Sequence, residues 1–348
     1  MNLTERLRTK FPLLQAPMAG VQDAALCIAV SRAGGLGALP AAMLTPEALG
    51  QQLAAIAAAA PGPYNVNFFC HQTPTPDPAR EQAWRAGLGP YYAAAGIDPA
   101  GIAAGPGRAP FSAAQLEVIA AFRPPVVSFH FGLPEAALLA RVKAWGALVL
   151  ASATTLDEGQ WLVEHGADVV IAQGLEAGGH RGHFLSHDLS RQMGTFALLP
   201  QLAQRLPVPV VAAGGIADAA GVRAAMVLGA AGVQVGTAYL LADEARTSAV
   251  HRQALQSPRA AHTALTNLFT GRPARGIVNR LMRELGPLSE LAPAFPLATA
   301  ALAPLRAQAE AEGSGEMSPL WAGQNAAGCR AAPAAVITAT LAQGFAAA

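Results

Sequence analysis

Three histidines and a glutamate crowd one short, glycine-rich stretch. QGLEAGGHRGHFLSHD (173–188) carries Glu176, His180, His183 and His187. Histidines grouped in this way serve metal ligation, proton transfer or plain contact with solvent. The spacing H-x2-H-x3-H falls on no evident helix, and no carboxylate has a clear ligand role, so no metal site is expected. His183 and His187 read as surface residues of a loop. His180 differs, because Gly178, Gly179 and Gly182 flank it. Glycine leaves the backbone free to turn the imidazole toward a ligand, and an imidazole suits proton transfer or stabilisation of an anion. A second histidine, His130, lies in SFHFG (128–132). Strand alternation puts Ser128 and His130 on one face, and Phe129 and Phe131 on the other. A histidine there is either a hydrogen-bonded core residue or part of a pocket lining, and the sequence leaves both open.

A different chemistry is written further along. Gly214 and Gly215 end one apolar run, Gly236 and Thr237 end the next, and Asp218 is placed to cap the helix between them. Glycines allow close approach of an anion, and free N–H groups at such turns cradle phosphate. Either turn alone would be an ordinary strand-to-helix joint. Two of them at successive strand ends point to a phosphate site.

The elements that must position these groups repeat. Short apolar runs at 13–20, 35–40, 64–70, 126–132, 147–153, 168–174, 209–215 and 232–238 alternate with alanine-rich helical stretches. Thr45, Pro46 and Glu47 open one of these helices, with threonine as cap and proline in the first turn. Continuous β-branched runs fit parallel strands buried on both faces. Eight strand–helix units predict an α/β fold, a (β/α)8 TIM barrel with active groups at the C-terminal strand ends. A doubly wound sheet is the alternative. The barrel is expected over 1–242. Residues 71–112, rich in Pro and Gly and carrying Trp84, Tyr91 and Tyr92, form a lid-like insertion after strand three. Residues 243–348 are expected to be a helical segment packed on the barrel.

Composition excludes several classes. The 348-residue chain has 52% hydrophobic and 13% charged residues and a net charge of +1. This suits a large core and leaves no electrostatic footprint for nucleic acid or a membrane surface. Apolar runs break before completing a span. Cys27, Cys70 and Cys329 are too dispersed for a disulfide framework or zinc site. The opening MNLTERLRTKFPLLQAP lacks a signal-peptide core. A cytoplasmic setting is expected.

Taken in order, QAPMAG, NVNF, QGLEAGGHRG, AAGGIAD and GVQVGTAYL resemble the nitronate monooxygenases, over about residues 10–245. LWAGQ (320–324) resembles them more loosely, and LGPYY and SFHFG resemble the class I branch, which needs no nicotinamide. The resemblance implies FMN as cofactor, contacted by Asn67, Gln173, Gly178, Gly215, Gln234, Val235, Gly236 and Thr237, with Met18 near the flavin ring. It implies His180 as the active-site histidine, His130 as a second pocket histidine, and a nitronate or nitroalkane with O2 as substrates. The segment 295–306, FPLATAALAPLR, lacks the tyrosines and lysine common in that branch. Arg306 is the candidate replacement for holding an anionic substrate. The rival readings are an NAD(P)H-dependent reductase on the same barrel and a non-catalytic flavin-binding protein. The oligomeric state is not legible.

Overall fold

A computed structural model describes residues 2–103 and 107–346. Eight parallel strands form one sheet: β1 Leu13–Gln15, β2 Gly37–Pro40, β3 Tyr64–Phe69, β4 Val126–His130, β5 Leu148–Ala153, β6 Val169–Gln173, β7 Val210–Ala213 and β8 Gly232–Val235. Each strand pairs with its sequence neighbour from β2 to β8, and β8 pairs with β1. The ring closes between β1 and β2, where Gln15 N–H donates to Leu36 O at 2.9 Å and Leu36 N–H to Leu13 O at 2.8 Å. A closed ring is a barrel, which removes the doubly wound alternative.

The barrel interior grades from oil to polar groups. Val169, Ile171 and Gln173 alternate inward along β6, and Val126, Ser128 and His130 do so along β4. At the N-terminal strand ends Leu14, Leu36, Val126, Leu150, Val169 and Val211 pack on Leu3 and Leu7 of the helix Leu3–Leu7. That apolar floor leaves the polar inward residues at the C-terminal mouth, where barrel active sites sit. The outward residues, such as Val170 and Ala172, pack on the surrounding helices. The sequence caps form as expected: Thr45 accepts from Ala48 N–H, and Asp218 accepts from Gly221 N–H.

Two expectations need correction. Phe131 does not point away from the pocket face. It lies beyond the end of β4 with φ 71°, so alternation stops there, and its ring packs 4.8 Å from Phe69 and 6.1 Å from His180. The segment after 242 is not helical throughout. Helices at Ala249–Leu255, Arg280–Leu285, Ala298–Ala311 and Ala334–Ala342 are interrupted by an antiparallel hairpin, Thr263–Thr266 with Ala274–Ile277. The second hairpin strand pairs with Gly179 and His180. The insertion's aromatics are anchored to the tail. Trp84 donates to Ala298 O at 3.3 Å and the Tyr92 hydroxyl to Ala301 O at 2.6 Å, which ties the insertion to the helix Ala298–Ala311. Among the described residues no helix is long and apolar enough to cross a membrane.

Candidate active site

A cavity opens at the C-terminal mouth. Met18, Asn67, Gln173, Gly178, Gly215, Gln234, Gly236 and Thr237 line it together with His130 and His180. Val235 does not, because its side chain faces outward into the core between strands and helices.

The β7 and β8 ends are built from backbone. Gly214 and Gly215 have φ of 123° and 74°, which an L side chain rarely adopts. The N–H groups of Gly215, Gly236 and Thr237 have no acceptor among the described residues. Buried Gln234 Oε1, on the same wall, also has no partner there. Orphaned polar groups of this kind call for a ligand or water. The segment around LWAGQ crosses this end. Gly323 N–H donates to Thr237 Oγ1 at 3.0 Å, and Asn325 Nδ2 donates to Gly215 O at 3.1 Å. Gly178 is required by that crossing, since a Cβ would lie 2.5 Å from Gly323 N.

The loop after β6 is instead held by side chains. Arg181 is fully buried and donates to Gln192 Oε1, Gly174 O and Gln173 O at 2.7, 2.6 and 2.7 Å. Gln173 donates to His180 O at 2.9 Å and accepts from Gly182 N–H at 2.8 Å, so its amide braces the loop. His130 Nε2 also donates to His180 O, at 3.2 Å. Buried Glu158 accepts from Phe184 N–H at 2.7 Å. Arg272 donates to His183 O, and its guanidinium lies 4.0 Å from the centroid of Phe131. Glu176 accepts from Thr195 N–H at 2.8 Å and so caps the helix Thr195–Arg205.

These clamps account for a further correction. His183 is 1% exposed rather than a surface residue, and neither ring nitrogen finds a partner among the described residues. Burial first, then nearby cations, lower its pKa to about 3. His187 is exposed, as expected. Among the described residues no group of three or more His, Cys, Asp or Glu is arranged for a metal.

His180 projects into a box of rings. Phe295 lies 5.3 Å away, Trp321 5.6 Å and Phe69 6.3 Å, centroid to centroid. Its Nε2 meets Thr270 Oγ1 at 2.9 Å. Removal from water holds its pKa well below the usual value, and the cations Arg108 and Arg272 with His130 and His71 add to this. His130 is lowered to about 3, again chiefly by burial. Both imidazoles are therefore neutral at physiological pH, inside a field made positive by guanidinium groups. Such a site favours an anion.

Arg306 does not take the anion-holding place. It is exposed and pairs with Glu310 at 2.8 Å on its own helix. The cavity-lining cation is Arg108, at the end of the insertion. Arg108, Thr270, Arg272 and Trp321 were not singled out by sequence reasoning. Arg181 beside the GGH motif, Trp321 in LWAGQ and Arg108 in the insertion stood within segments already marked, while Thr270 and Arg272 did not.

The family model described as nitronate monooxygenase matches residues 1–343. A nitronate monooxygenase of Pseudomonas aeruginosa is 41% identical, over 98% of this chain and 97% of its own. One of Paraburkholderia phytofirmans is 40% identical, over 95% and 91%. Among solved structures, a nitroalkane oxidase from Streptomyces ansochromogenes superposes with a TM-score of 0.87 at 39% identity, covering 98% of this chain and 96% of that one. FabK from Thermotoga maritima gives 0.73 at 25% identity, covering 99% and 95%. With a match of this extent laid over a cavity that joins the two histidines to the glycine turns, the chain belongs to the nitronate monooxygenase family of oxidoreductases.

Proposed function

We propose that this enzyme oxidises alkyl nitronates with O2, yielding a carbonyl compound and nitrite or nitrate, and that it uses FMN. The observation that carries this reading is one cavity that collects every expected cofactor residue except Val235 and adds His180 and His130. The cofactor phosphate would rest on the N–H groups of Gly215, Gly236 and Thr237, and the ring system would lie toward Met18 and His180. FMN, when bound, supplies the one-electron chemistry and the reaction with oxygen.

The protein's own residues decide which substrate form suits the site. An imidazole held far below its ordinary pKa accepts a proton poorly, so His180 is a weak base toward a neutral nitroalkane. A nitronate arrives already deprotonated, and its charge meets the field of Arg108 and Arg272. The His130 and Gln173 bonds to His180 O fix the loop that carries the imidazole. The rings of Phe69, Phe131 and Phe295 keep water from this side of the pocket, which strengthens the attraction.

Anaerobic mixing tests the proposal. Propionate 3-nitronate and ethylnitronate should each bleach the flavin absorbance of the purified yellow protein, while NADH should not. Bleaching by NADH alone would make it a reductase, and FAD in place of FMN after denaturation would overturn the cofactor assignment.

A further inference from the structure

A half-buried cation without an ion pair among the described residues stands beside the cavity. Arg108 lies 5.6 Å from the centroid of Phe295, which also packs on the rings of His71 at 4.9 Å and His180 at 5.3 Å. Among the described residues its guanidinium makes no ion pair and no hydrogen bond, whereas the neighbouring Arg85 donates to Pro99 O and Ile102 O. The adjacent residues 104–106 are Ala, Gly and Pro, none of them an acid. Its backbone is fixed, since His71 Nε2 meets Arg108 O at 2.8 Å. Arg108 is also the residue common to two cavities: the one holding His180, and a second of about 320 Å³ lined by Met43, Trp84, Pro296 and Leu297. Glu81 lines that second cavity without reaching ion-pair distance of Arg108.

The anion that this cation awaits is not the cofactor phosphate. Arg108 follows β3, whereas the glycine turns follow β7 and β8, which lie across the ring with β2 and β1 on one side and β4 to β6 on the other. Nor does its geometry suit a lone point charge. The Phe295 ring lies against the guanidinium, and the N–H donors lie in the guanidinium plane, where a planar carboxylate matches them two by two. A nitronate near His180 and a carboxylate at Arg108 would both border Phe295, which a short alkyl chain can span.

We infer that Arg108 is a specificity-determining residue: its guanidinium receives a carboxylate at the end of the substrate remote from the nitronate carbon. Propionate 3-nitronate, named above, is then selected over plain alkyl nitronates through Arg108. This rests on the nitronate reading above, so the test carries an arm that does not need turnover.

The holoenzyme and its Arg108→Gln and Arg108→Lys variants are compared on propionate 3-nitronate and on propyl-1-nitronate, which lacks the carboxylate. A charged hydrogen bond lost from the binding site corresponds to roughly ten- to hundredfold in affinity. For Arg108→Gln, kcat/KM on the carboxylated nitronate should therefore fall about tenfold or more beyond its fall on the plain one. Arg108→Lys should lie between, because it keeps the charge and loses the fork. In the second arm, 3-nitropropionate should raise the thermal midpoint of the wild-type holoenzyme more than that of Arg108→Gln, with 1-nitropropane as the control. Equal losses on both nitronates would show that Arg108 reads the nitronate group itself, and would overturn the inference. So would no loss on either. If the wild type oxidised neither nitronate, the functional reading would fail, while a thermal shift that needs Arg108 would still support the carboxylate subsite.

Discussion

The two sides of the cavity are built from different materials. At the ends of β7 and β8 the wall is backbone: Gly214, Gly215 and Gly236, with N–H groups left over for a ligand. After β6 the wall is a loop held largely by side chains, with Arg181, Gln173, Glu158 and Arg272 supplying bonds beside the backbone pairing of Gly179 and His180 with the hairpin. The first wall tolerates little added bulk or charge but needs few partners. The second would lose its shape if one partner left, because the carbonyls that it satisfies are buried. The phosphate side should thus fail by losing its ligand, and the histidine side by losing its structure.

Arg181 gives the largest expected effect. Arg181→Ala leaves Gln173 O, Gly174 O and Gln192 Oε1 without their donor in a buried setting. At about 1–3 kcal/mol for each unsatisfied group, partly relieved by relaxation, the loss should reach roughly 3–5 kcal/mol. Urea unfolding checks it. A loss below about 1 kcal/mol would mean that the loop is held elsewhere, and the contrast between the walls would dissolve.

On the other wall the prediction is selective. Gly215→Asp puts a negative charge beside the proposed phosphate, where like charges at about 4 Å cost on the order of 4 kcal/mol at an effective dielectric near 20. It also forces a side chain onto a φ of 74°. FMN affinity should fall about a hundredfold or more while the protein stays folded. Gly215→Asn, which tolerates that backbone better and carries no charge, should retain much more flavin. Equal retention by both variants, read from absorbance after gel filtration, would move the phosphate away from Gly215.

This contrast also explains what the sequence made legible. The barrel could be read because each strand announces itself within a few residues, and the capping threonine and aspartate sit beside what they cap. The glycine turns were legible for the same reason. His180 was visible as a histidine among glycines. What holds it was not: Thr270 is 90 positions away, and Arg272 binds His183 O across 89. A hairpin within an apparently helical tail supplies both residues, and no local pattern in the loop requires it. His183 was misjudged for this reason. Its neighbours in sequence are polar and glycine-rich, but Glu158 and Arg272 draw its backbone inward. Arg108 was hidden differently, as a lone cation in a Pro/Gly-rich insertion whose partner in space, Phe295, comes far later in the chain.

The smallest expected effect follows from that burial. His130, His183 and His251 titrate at about 3, 3 and 4 in the folded protein, each lowered chiefly by removal from water. Unfolded, each would titrate near 6.5. Above that pH neither state binds the proton, and the contribution to stability is fully present. As pH falls below about 6.5 the unfolded chain takes up protons that the folded one refuses, so stability declines until the folded pKa values are reached. Each such histidine accounts for at most about 1.4 kcal/mol per pH unit in that window. His183 is the informative one, since neither of its ring nitrogens is hydrogen-bonded among the described residues, whereas His130 holds His180 O. His183→Gln should therefore flatten the decline in unfolding free energy between pH 6 and pH 4.5 by about one histidine's share. Above pH 7 it should shift stability by a pH-independent amount only. An unchanged slope would place the His183 ring in water, and would make the β6 loop a looser wall than its clamps imply.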